Sequence, residues 1–388
     1  MPPGQLRKEG WAALTQAYPD QRVITAILGI CTFGARIGYE GNRDTITIYP
    51  NLSTAMTDAQ LVAADILSEV SKNRLAVYKD SQCLPSHYTA SPLGLTDKAD
   101  SNKRRIHNLS YPVGDPTAIN AAIPEHYGMI KYSGIQDAIQ AVQKYGKDRI
   151  LLKRDFESAF RHIPVSLIDY PLLGFHWENY FYSECFLPFR LRNTPYLFNI
   201  FAEVFQWILE QHLITAGIPA TVIHYLDDFL IVWPPEASNM VPECRNAFST
   251  LSTQVGLSIK DSKNEEGTTV SGAGLEFDNN SMVIRLPEKK LRKARTMTHE
   301  AHKSRSLFLL DLQKLTGYLN FVSKVVPLGR TFLRRLYNLE LYFRLHAARH
   351  QGRPISGEAR KDISLVEKDT GNPAARSITT TRRKVISA

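Results

Sequence analysis

The chain has 388 residues, of which 43% are hydrophobic and 22% charged, and a formal net charge of +9 at pH 7, so it is globular and long enough for two or three domains. It has no run of about 18 uninterrupted apolar residues and no apolar signal-peptide core, which argues against a membrane span and against secretion. The four cysteines are scattered without a C-x-x-C pair, so neither a zinc site nor a disulfide framework is indicated. We therefore expect an intracellular protein, in the cytoplasm or nucleus, with no membrane partner.

The positive charge is concentrated in one segment. Residues 285–350 contain 15 Lys and Arg but only 4 Asp and Glu, a net charge of +11. The net charge of this segment is larger than that of the whole chain, so the rest of the chain is slightly acidic. Such a balance suits a polyanionic partner.

The first third of the chain carries few chemical signals. Residues 1–80 combine short helical patterns with polar loops, and an amphipathic helix is predicted for residues 57–77. The apolar face of that helix is expected to comprise Leu61, Ala64, Ile66, Leu67 and Val70. Residues 82–116 are rich in Pro, Gly and basic residues and are predicted to be mainly loop.

From Arg149 the pattern becomes strand, turn and helix. Residues 150–152 predict a strand that leads into Asp155, and residues 180–187 predict a second strand. Thr194 and Pro195 then predict a helix start, because Thr is a good N-cap and Pro is favoured in the first turn. The apolar positions that follow at helical spacing are Leu197, Phe201, Val204, Phe205 and Ile208.

A hairpin with two adjacent carboxylates at its tip comes next. Residues 221–225 and 229–233 have the β-branched, aromatic and aliphatic composition of buried strands, and Asp227 and Asp228 lie between them. Tight hairpin turns prefer Asn-Gly or Asp-Gly because their residues need positive φ. Nothing in folding requires two carboxylates here, and local departures of this kind are expected at functional sites. A solvated acidic turn is the alternative.

The remaining chain predicts a second hairpin and a basic helical region. The hairpin covers residues 272–286 and turns at residues 278–280, and helices are expected from Glu288 to about Arg349. Basic side chains recur on the predicted helix surface, where phosphate contacts would provide sequence-independent affinity; a solvated face is the alternative. These side chains are Arg292, Lys293, Arg295, Lys303 and Arg305.

Asp155 is the candidate for a third carboxylate. If its strand neighbours the hairpin of Asp227 and Asp228, three carboxylates converge. Like charges about 4 Å apart repel by about 4 kcal/mol at an effective dielectric of about 20, so the cluster would need cations. Carboxylates and substrate phosphates together hold Mg²⁺, and two such ions suit an in-line phosphoryl displacement. The alternative is that Asp155 only caps a following helix.

The ordered succession of motifs resembles the reverse transcriptases of retrotransposon polyproteins, of the LTR-type and tyrosine-recombinase elements. Residues 225–228 match the Y-x-D-D box, and residues 155–164 resemble the first catalytic motif with Asp155 as metal ligand. Residues 187–195 resemble the L-P-F-G-L-R-x-x-P motif. Residues 91–108 resemble the fingers segment that contacts the triphosphate, and residues 312–321 a helical segment that follows the palm.

The resemblance implies an α+β fold, the right-hand polymerase fold. Fingers are expected at residues 81–150, a palm of antiparallel sheet and helices at 151–284, and a basic helical thumb at 285–350. Residues 1–80 would be an N-terminal extension of unknown role. Residues 351–388 are expected to be a largely disordered tail without an RNase H domain, so the chain is consistent with a fragment of a longer polyprotein.

The implied reaction is attack of a primer 3′-hydroxyl on the α-phosphate of a dNTP, directed by an RNA or DNA template. Asp155, Asp227 and Asp228 would hold two Mg²⁺ ions, with Mn²⁺ as an alternative. The template-primer and dNTPs would be the partners, and the oligomeric state stays open. The implied substrate-binding residues are Lys98, Arg104, Phe156, Phe160, Phe189, Arg190, Tyr225 and Lys263.

Three of these roles have a physical reason. The ring of Phe160 would lie against the sugar and clash with a 2′-hydroxyl, the group that separates ribose from deoxyribose; a core Phe is the alternative. Lys98 and Arg104 would neutralise the triphosphate, unless they are solvated loop residues. Lys263 matches a lysine near the departing pyrophosphate, although surface lysines are common.

One departure from the family pattern bears on activity. Arg190 stands where the family has glycine, and glycine permits close backbone approach. An arginine adds bulk beside the presumed dNTP. Two alternatives therefore stay open: an inactive relic that retains the fold and nucleic-acid binding, and an RNA-dependent RNA polymerase.

Overall fold

The computed structural model describes residues 6–97, 103–130, 135–325, 329–345, 352–361, 363 and 375–377. Its helices are α1 (Lys8–Leu14), α2 (Gln21–Phe33), α3 (Ser53–Met56), α4 (Ala59–Ser71), α5 (Ile135–Tyr145), α6 (Thr194–Thr215), α7 (Val241–Val255), α8 (Glu288–Lys303), α9 (Leu309–Val322) and α10 (Gly329–Leu345).

The strands begin in the N-terminal third and continue into the tail. They are β1 (Ile46–Ile48), β2 (Leu75–Tyr78), β3 (Tyr88–Ala90), β4 (Leu93–Asp97), β5 (Lys103–His107), β6 (Leu151–Asp155), β7 (Gly174–Trp177), β8 (Tyr180–Glu184), β9 (Thr221–Tyr225), β10 (Asp228–Val232), β11 (Glu265–Gly267), β12 (Thr269–Gly272), β13 (Leu275–Asp278), β14 (Val283–Arg285), β15 (Ser306–Leu307), β16 (Arg353–Pro354) and β17 (Ala375–Ser377).

The chain forms two compact units, each built from several segments. Unit 1 comprises Met1–Tyr132, Asp155–Gly217 and Pro242–Ser262. Unit 2 comprises Ser133–Arg154, Ile218–Val241 and Lys263–Ala388. Strand β6 therefore belongs to unit 2 except for its last residue, Asp155, at which the chain enters unit 1.

Unit 1 contains a five-stranded sheet in the order β1-β3-β7-β8-β2 and a separate β4-β5 hairpin. Helix α4 packs near this hairpin and β2, because Val62 and Ile66, one helical turn apart, are buried with Phe175 and Trp177 of β7. The helix begins where the Asp58 carboxylate accepts a hydrogen bond from the Leu61 N–H at 3.2 Å.

The predicted helix over residues 57–77 is wrong at its C-terminal end. Helix α4 ends at Ser71, and Asn73 adopts a left-handed φ of 55°. The next apolar residues form β2, which pairs antiparallel with β8 more than a hundred residues later. Leu67, predicted on the apolar face, is 68% exposed.

Helix α6 confirms the predicted start and apolar face. Its N-cap is Asn193, one residue before the predicted Thr194, and Pro195 lies in the first turn. All five predicted apolar positions are buried. The N-terminal helices pack on this helix, since Trp11 meets Phe201 edge-on with ring centroids 5.3 Å apart. Residues of the predicted extension are thus part of the core of unit 1.

Unit 2 contains two four-stranded sheets, in the orders β11-β6-β10-β9 and β12-β13-β14-β17. Helix α5 packs on β9 and β10 through Ile135, Ala138, Ile139 and Val142, which recur at helical spacing and are buried. Helices α8, α9 and α10 carry a second apolar core.

Both predicted hairpins are confirmed. Strands β9 and β10 pair antiparallel around residues 226–227, and β13 and β14 pair around residues 279–282, at the predicted second turn. In the tail predicted to be largely disordered, Ala375–Ser377 pairs with β14, while residues 364–374 and 378–388 lie outside the described residues. No described helix has the length and apolar character that crossing a bilayer requires. The four cysteines form no disulfide.

Candidate active site

The β9-β10 hairpin presents Asp227 and Asp228 at its tip. Asp228 pairs with Tyr225, which leaves Leu226 and Asp227 as a two-residue loop. Leu226 has a φ of 55°, a left-handed conformation that costs an L-residue about 1–2 kcal/mol. The residues of β10 that follow Asp228 are buried, so an apolar hairpin anchors a strained, partly exposed acidic loop.

Two lysines face the carboxylate of Asp228. The Nζ of Lys153 on β6 lies 3.9 Å from its Oδ1 and 3.3 Å from Oε1 of Glu265 on β11. Burial lowers the pKa of Lys290, and the nearby carboxylate of Asp228 opposes this shift. The tip of the hairpin is therefore a place where positive charge is favoured.

A neutral histidine lies under the hairpin. The ring of His224 stacks on that of Phe229, with centroids 5.5 Å apart and an interplanar angle of 25°. Burial lowers the pKa of His224 to about 4, so the ring carries no charge at neutral pH. His224 therefore contributes packing to the hairpin, and the positive charge near Asp228 comes from the lysines.

Asp155 and Phe156 lie in unit 1. Asp155 is 2% exposed, and its carbonyl accepts a hydrogen bond from the Lys260 N–H at 2.8 Å. The ring of Phe156 is buried against the rings of Phe205 and Phe248. Its side chain is therefore part of the core, and only its backbone could contact a substrate. The capping alternative for Asp155 is wrong, because the next helical turn begins after Ser158.

A cavity of about 180 Å³ in unit 1 brings together three of the predicted substrate-binding residues: Arg104, Phe189 and Arg190. It has five arginines and three carboxylates in its lining, which favours an anionic ligand. The full lining is Asp65, Glu69, Arg74, Arg104, Arg105, Ile106, His107, Ser158, Arg161, Glu184, Pro188, Phe189 and Arg190.

A buried network of ion pairs supports this cavity. Arg161 donates to Glu184 at 2.6 Å and to Glu69 at 2.7 Å, and Arg105 donates to Asp65 at 2.6 Å. Burial alone would raise the pKa of the Glu184 carboxyl, but Arg161 and Arg105 together hold it below its usual value. Because the carboxylates neutralise these two buried arginines, the exposed arginines remain for a ligand.

Phe189 lines the cavity, whereas the predicted sugar contact Phe160 is not a lining residue and packs against Phe189. Phe160 is partly buried, and its ring lies 5.3 Å from that of Phe189 and 5.8 Å from that of Phe198. Phe189 is 53% exposed. The exposed ring of Phe189 thus offers a sugar or base an apolar contact beside the arginines.

Arg190 has a φ of 72°, in the region that glycine adopts without steric cost. The side chain is exposed and lines the cavity. The departure from the family glycine therefore places both backbone strain and added bulk at the site.

Tyr225 and Lys263 are not among the residues that line the cavity. Tyr225 is 41% exposed at the end of β9, and Lys263 is exposed in a short helical turn, both in unit 2. Lys98 lies outside the described residues.

The basic surface of α8 is present as predicted. Leu291, Ala294, Thr298 and Ala301 are buried, and this spacing leaves Arg292 and Lys293 exposed. Further exposed basic residues of this region are Lys289, Lys303 and Arg305; Arg295 is half-buried.

Metal ligands are sparse in what the structure describes. Within the described ranges, no group of three or more His, Cys, Asp or Glu side chains is arranged to hold a metal ion. Asp227 and Asp228 are a partly exposed carboxylate pair, and the ammonium of Lys153 lies 3.9 Å from Asp228.

Sequence reasoning missed Lys153, Arg161 and Glu184. Lys153 and Glu184 are charged residues inside apolar strand patterns, and a charged residue at such a position is expected to have an ionic partner. Their partners lie far away in sequence, so the pattern could not identify the ion pairs.

An acidic hairpin in a four-stranded sheet on which a helix packs is a feature of right-hand nucleic-acid polymerases. Residues 108–289 match the family model described as reverse transcriptase (RNA-dependent DNA polymerase). This segment of the chain is therefore similar to the reverse transcriptase family.

Solved structures support the fold assignment. Foamy viral protease-reverse transcriptase in complex with dsDNA is 16% identical, with a TM-score of 0.59, and the match covers 97% of this chain and 73% of that chain. The same protein with an RNA/DNA hybrid is 15% identical, with a TM-score of 0.60, covering 94% and 46%. Its dRH form with dsDNA is 14% identical, with a TM-score of 0.60.

The right-hand polymerase fold is thereby confirmed. The match to the dRH form covers 94% of this chain and 60% of that chain. This chain therefore spans less than two thirds of the length of that relative. The comparison with curated proteins found no significant match.

Proposed function

We propose that this chain is an RNA-directed DNA polymerase that extends a primer with dNTPs. The observation that carries the proposal is the partly exposed Asp227-Asp228 pair at the tip of the β9-β10 hairpin, within the segment that matches the reverse transcriptase model. A solvated acidic turn would not need the ammonium of Lys153 placed 3.9 Å from Asp228.

The carboxylates fit a divalent metal. Mg²⁺ is usually held by one or two carboxylates, with waters and substrate phosphates as the other ligands. The two carboxylates at the tip of the hairpin are therefore enough protein ligands for such an ion. The ammonium of Lys153, 3.9 Å from Asp228, supports a preference for positive charge there. When bound, two divalent ions would stabilise the attacking and leaving oxygens of the phosphoryl transfer.

Asp155 is proposed as the third ligand. It follows Lys153 by two residues on β6, and alternate residues of a strand face the same side. Strand β6 neighbours β10 in its sheet, and Lys153 on that strand reaches Asp228. The role of Asp155 would be to orient the metal that activates the primer hydroxyl.

The cavity of unit 1 is proposed to receive the triphosphate and the sugar. Arg104 and Arg190 are exposed at its rim and would pair with phosphate oxygens. The rings of Phe160 and Phe189 would contact the sugar, and a ring at this place would disfavour a 2′-hydroxyl. Lys98 and Lys263 are proposed as further phosphate contacts and Tyr225 as a primer contact.

A nucleic-acid duplex is the proposed macromolecular partner. The solved relatives in the comparison are complexes with dsDNA and with an RNA/DNA hybrid. In this chain, Arg292 and Lys293 on the exposed face of α8 would contact phosphates.

Primer extension on an RNA template with Mg²⁺ and dNTPs tests this function. We expect extension by the wild type, no detectable extension by Asp227→Asn, and strong preference for dNTPs over rNTPs. Equal use of rNTPs would instead support the RNA polymerase alternative. A silent wild type that still binds a primer-template would overturn the enzymatic proposal.

The inactive-relic alternative rests on Arg190, because its side chain lines the cavity. It predicts that Arg190→Gly restores extension to a silent wild type. If both proteins extend at similar rates, the relic alternative is rejected.

A further inference from the structure

The turn that carries Phe189 and Arg190 is held by one buried side chain from a distant loop. Asn120 is 8% exposed. Its Nδ2 donates to the carbonyl of Arg190 at 2.8 Å, and its Oδ1 accepts from the backbone N–H of Arg192 at 2.8 Å. Residues 120 and 190 are 70 positions apart in sequence.

The orientation of the Asn120 amide follows from its partners. The carbonyl of Arg190 can only accept and the N–H of Arg192 can only donate. The second hydrogen of Nδ2 is donated to Oγ of Ser110 at 2.8 Å. The amide is therefore engaged on both sides, and its rotation is fixed.

The loop that supplies Asn120 is itself anchored. The backbone N–H of Asn120 donates to the carbonyl of Leu109 at 2.9 Å, and Leu109, Ile119 and Ile123 are almost fully buried. A guanidinium nitrogen of Arg192 donates to the carbonyl of Ile123 at 2.7 Å. The loop and the turn are thus joined in both directions.

This attachment matters because Arg190 has a φ of 72°. A non-glycine residue remains in such a conformation only when its surroundings determine it. The bond from Asn120 to the Arg190 carbonyl fixes the peptide plane that follows, and with it the direction of the neighbouring Phe189 and Arg190 side chains into the cavity.

We propose that Asn120 is a positioning residue for nucleotide binding: it holds the turn of residues 189–192 in the conformation that lines the cavity. The proposal rests on the proposed polymerase function. Asn120 does not line the cavity, so its effect would be transmitted through the backbone of the turn.

The test compares Asn120→Ala with Asn51→Ala, which is a matched control. The side chain of Asn51 makes the same pair of hydrogen bonds to backbone groups elsewhere in unit 1. It donates to the carbonyl of His176 at 3.0 Å and accepts from the N–H of Leu93 at 2.9 Å. We expect Asn120→Ala to raise the KM for dNTP about tenfold and change kcat less than about threefold. Asn51→Ala should lower thermal stability comparably and leave KM unchanged.

The same Asn120→Ala substitution in the Arg190→Gly protein provides a second test. Glycine adopts positive φ freely, so in Arg190→Gly the turn needs less support from Asn120. We expect the KM penalty of Asn120→Ala to fall below about threefold in that background. Equal penalties in both backgrounds would overturn the proposed link to backbone strain.

Hydrogen–deuterium exchange separates this proposal from the proposed function. Even if no variant extends a primer, Asn120→Ala should speed exchange of the Arg192 amide, while Asn51→Ala should not. Unchanged exchange in Asn120→Ala, or the same KM change in both asparagine variants, would refute the positioning role.

Discussion

Replacement of Lys153 by methionine tests how the acidic hairpin is balanced. The substitution keeps the length and apolar stem of a side chain that is 11% exposed. It removes the ammonium 3.9 Å from Asp228 and 3.3 Å from Glu265. A divalent metal at Asp228 would then meet less electrostatic competition.

The size of the effect follows from the distance. Two unit charges 3.9 Å apart attract by about 4 kcal/mol at an effective dielectric of about 20. Solvent reaches Asp228, whose side chain is 28% exposed, and desolvation of Lys153 opposes the attraction, so the net coupling should be about 1–2 kcal/mol. Since 1.4 kcal/mol corresponds to a factor of ten, Mg²⁺ should bind Lys153→Met roughly five- to thirtyfold more tightly.

The assay is the melting temperature as a function of MgCl₂ concentration, because a ligand that binds only the folded state stabilises it. Lys153→Met should melt lower without Mg²⁺ and reach half of its stabilisation at a lower Mg²⁺ concentration than the wild type. Lys147→Met removes an exposed lysine of the same unit and should change neither quantity. An unchanged Mg²⁺ midpoint in Lys153→Met would refute the competition, and a normal shift in Asp228→Asn would show that Asp228 is not a ligand.

Three further results are expected. Arg190→Gly should stabilise the protein in urea denaturation by about 0.5–1 kcal/mol, because relief of left-handed strain exceeds the added chain entropy; Glu178→Gly, at a φ of 53° and away from the cavity, should gain a similar amount without changing dNTP binding, and destabilisation in both would contradict this reasoning. Burial lowers the pKa of His162 to about 4, so unfolding takes up a proton at this residue below about pH 6.5, and His162 should contribute about 2 kcal/mol to the loss of stability from pH 7 to pH 5. The His162→Gln protein should therefore lose about 2 kcal/mol less than the wild type over this range, and an identical pH profile would exclude this cause. Neutralising Arg292 and Lys293 should reduce the salt slope of template-primer binding by about 1–2, and an unchanged slope would remove α8 from the binding surface.

The elements with strong local signals were predictable. Helix α6 combines a helix-start signal with five apolar positions at helical spacing, and all five are buried. The β9-β10 hairpin follows from two apolar runs separated by a short polar step. In these places, local preference and tertiary packing agree.

The features that depend on distant partners were not predictable. Helix α4 ends early because Asn73 turns the chain and the following residues pair with β8. The contacts of Lys153 with Asp228 and of Asn120 with Arg190 join residues about 70 or more positions apart. Sequence patterns report local periodicity, whereas these contacts are decided by how the sheets and loops assemble.

The most direct test of the central claim is the single-turnover rate of dNTP incorporation on an RNA template by the three aspartate variants. Asp155→Asn, Asp227→Asn and Asp228→Asn should each lose at least about 10³-fold in rate, because each removes a proposed metal ligand. Template-primer affinity and thermal stability should stay near those of the wild type. A wild-type rate in any one variant would contradict its assignment, and rates within tenfold of the wild type in all three would contradict the polymerase mechanism.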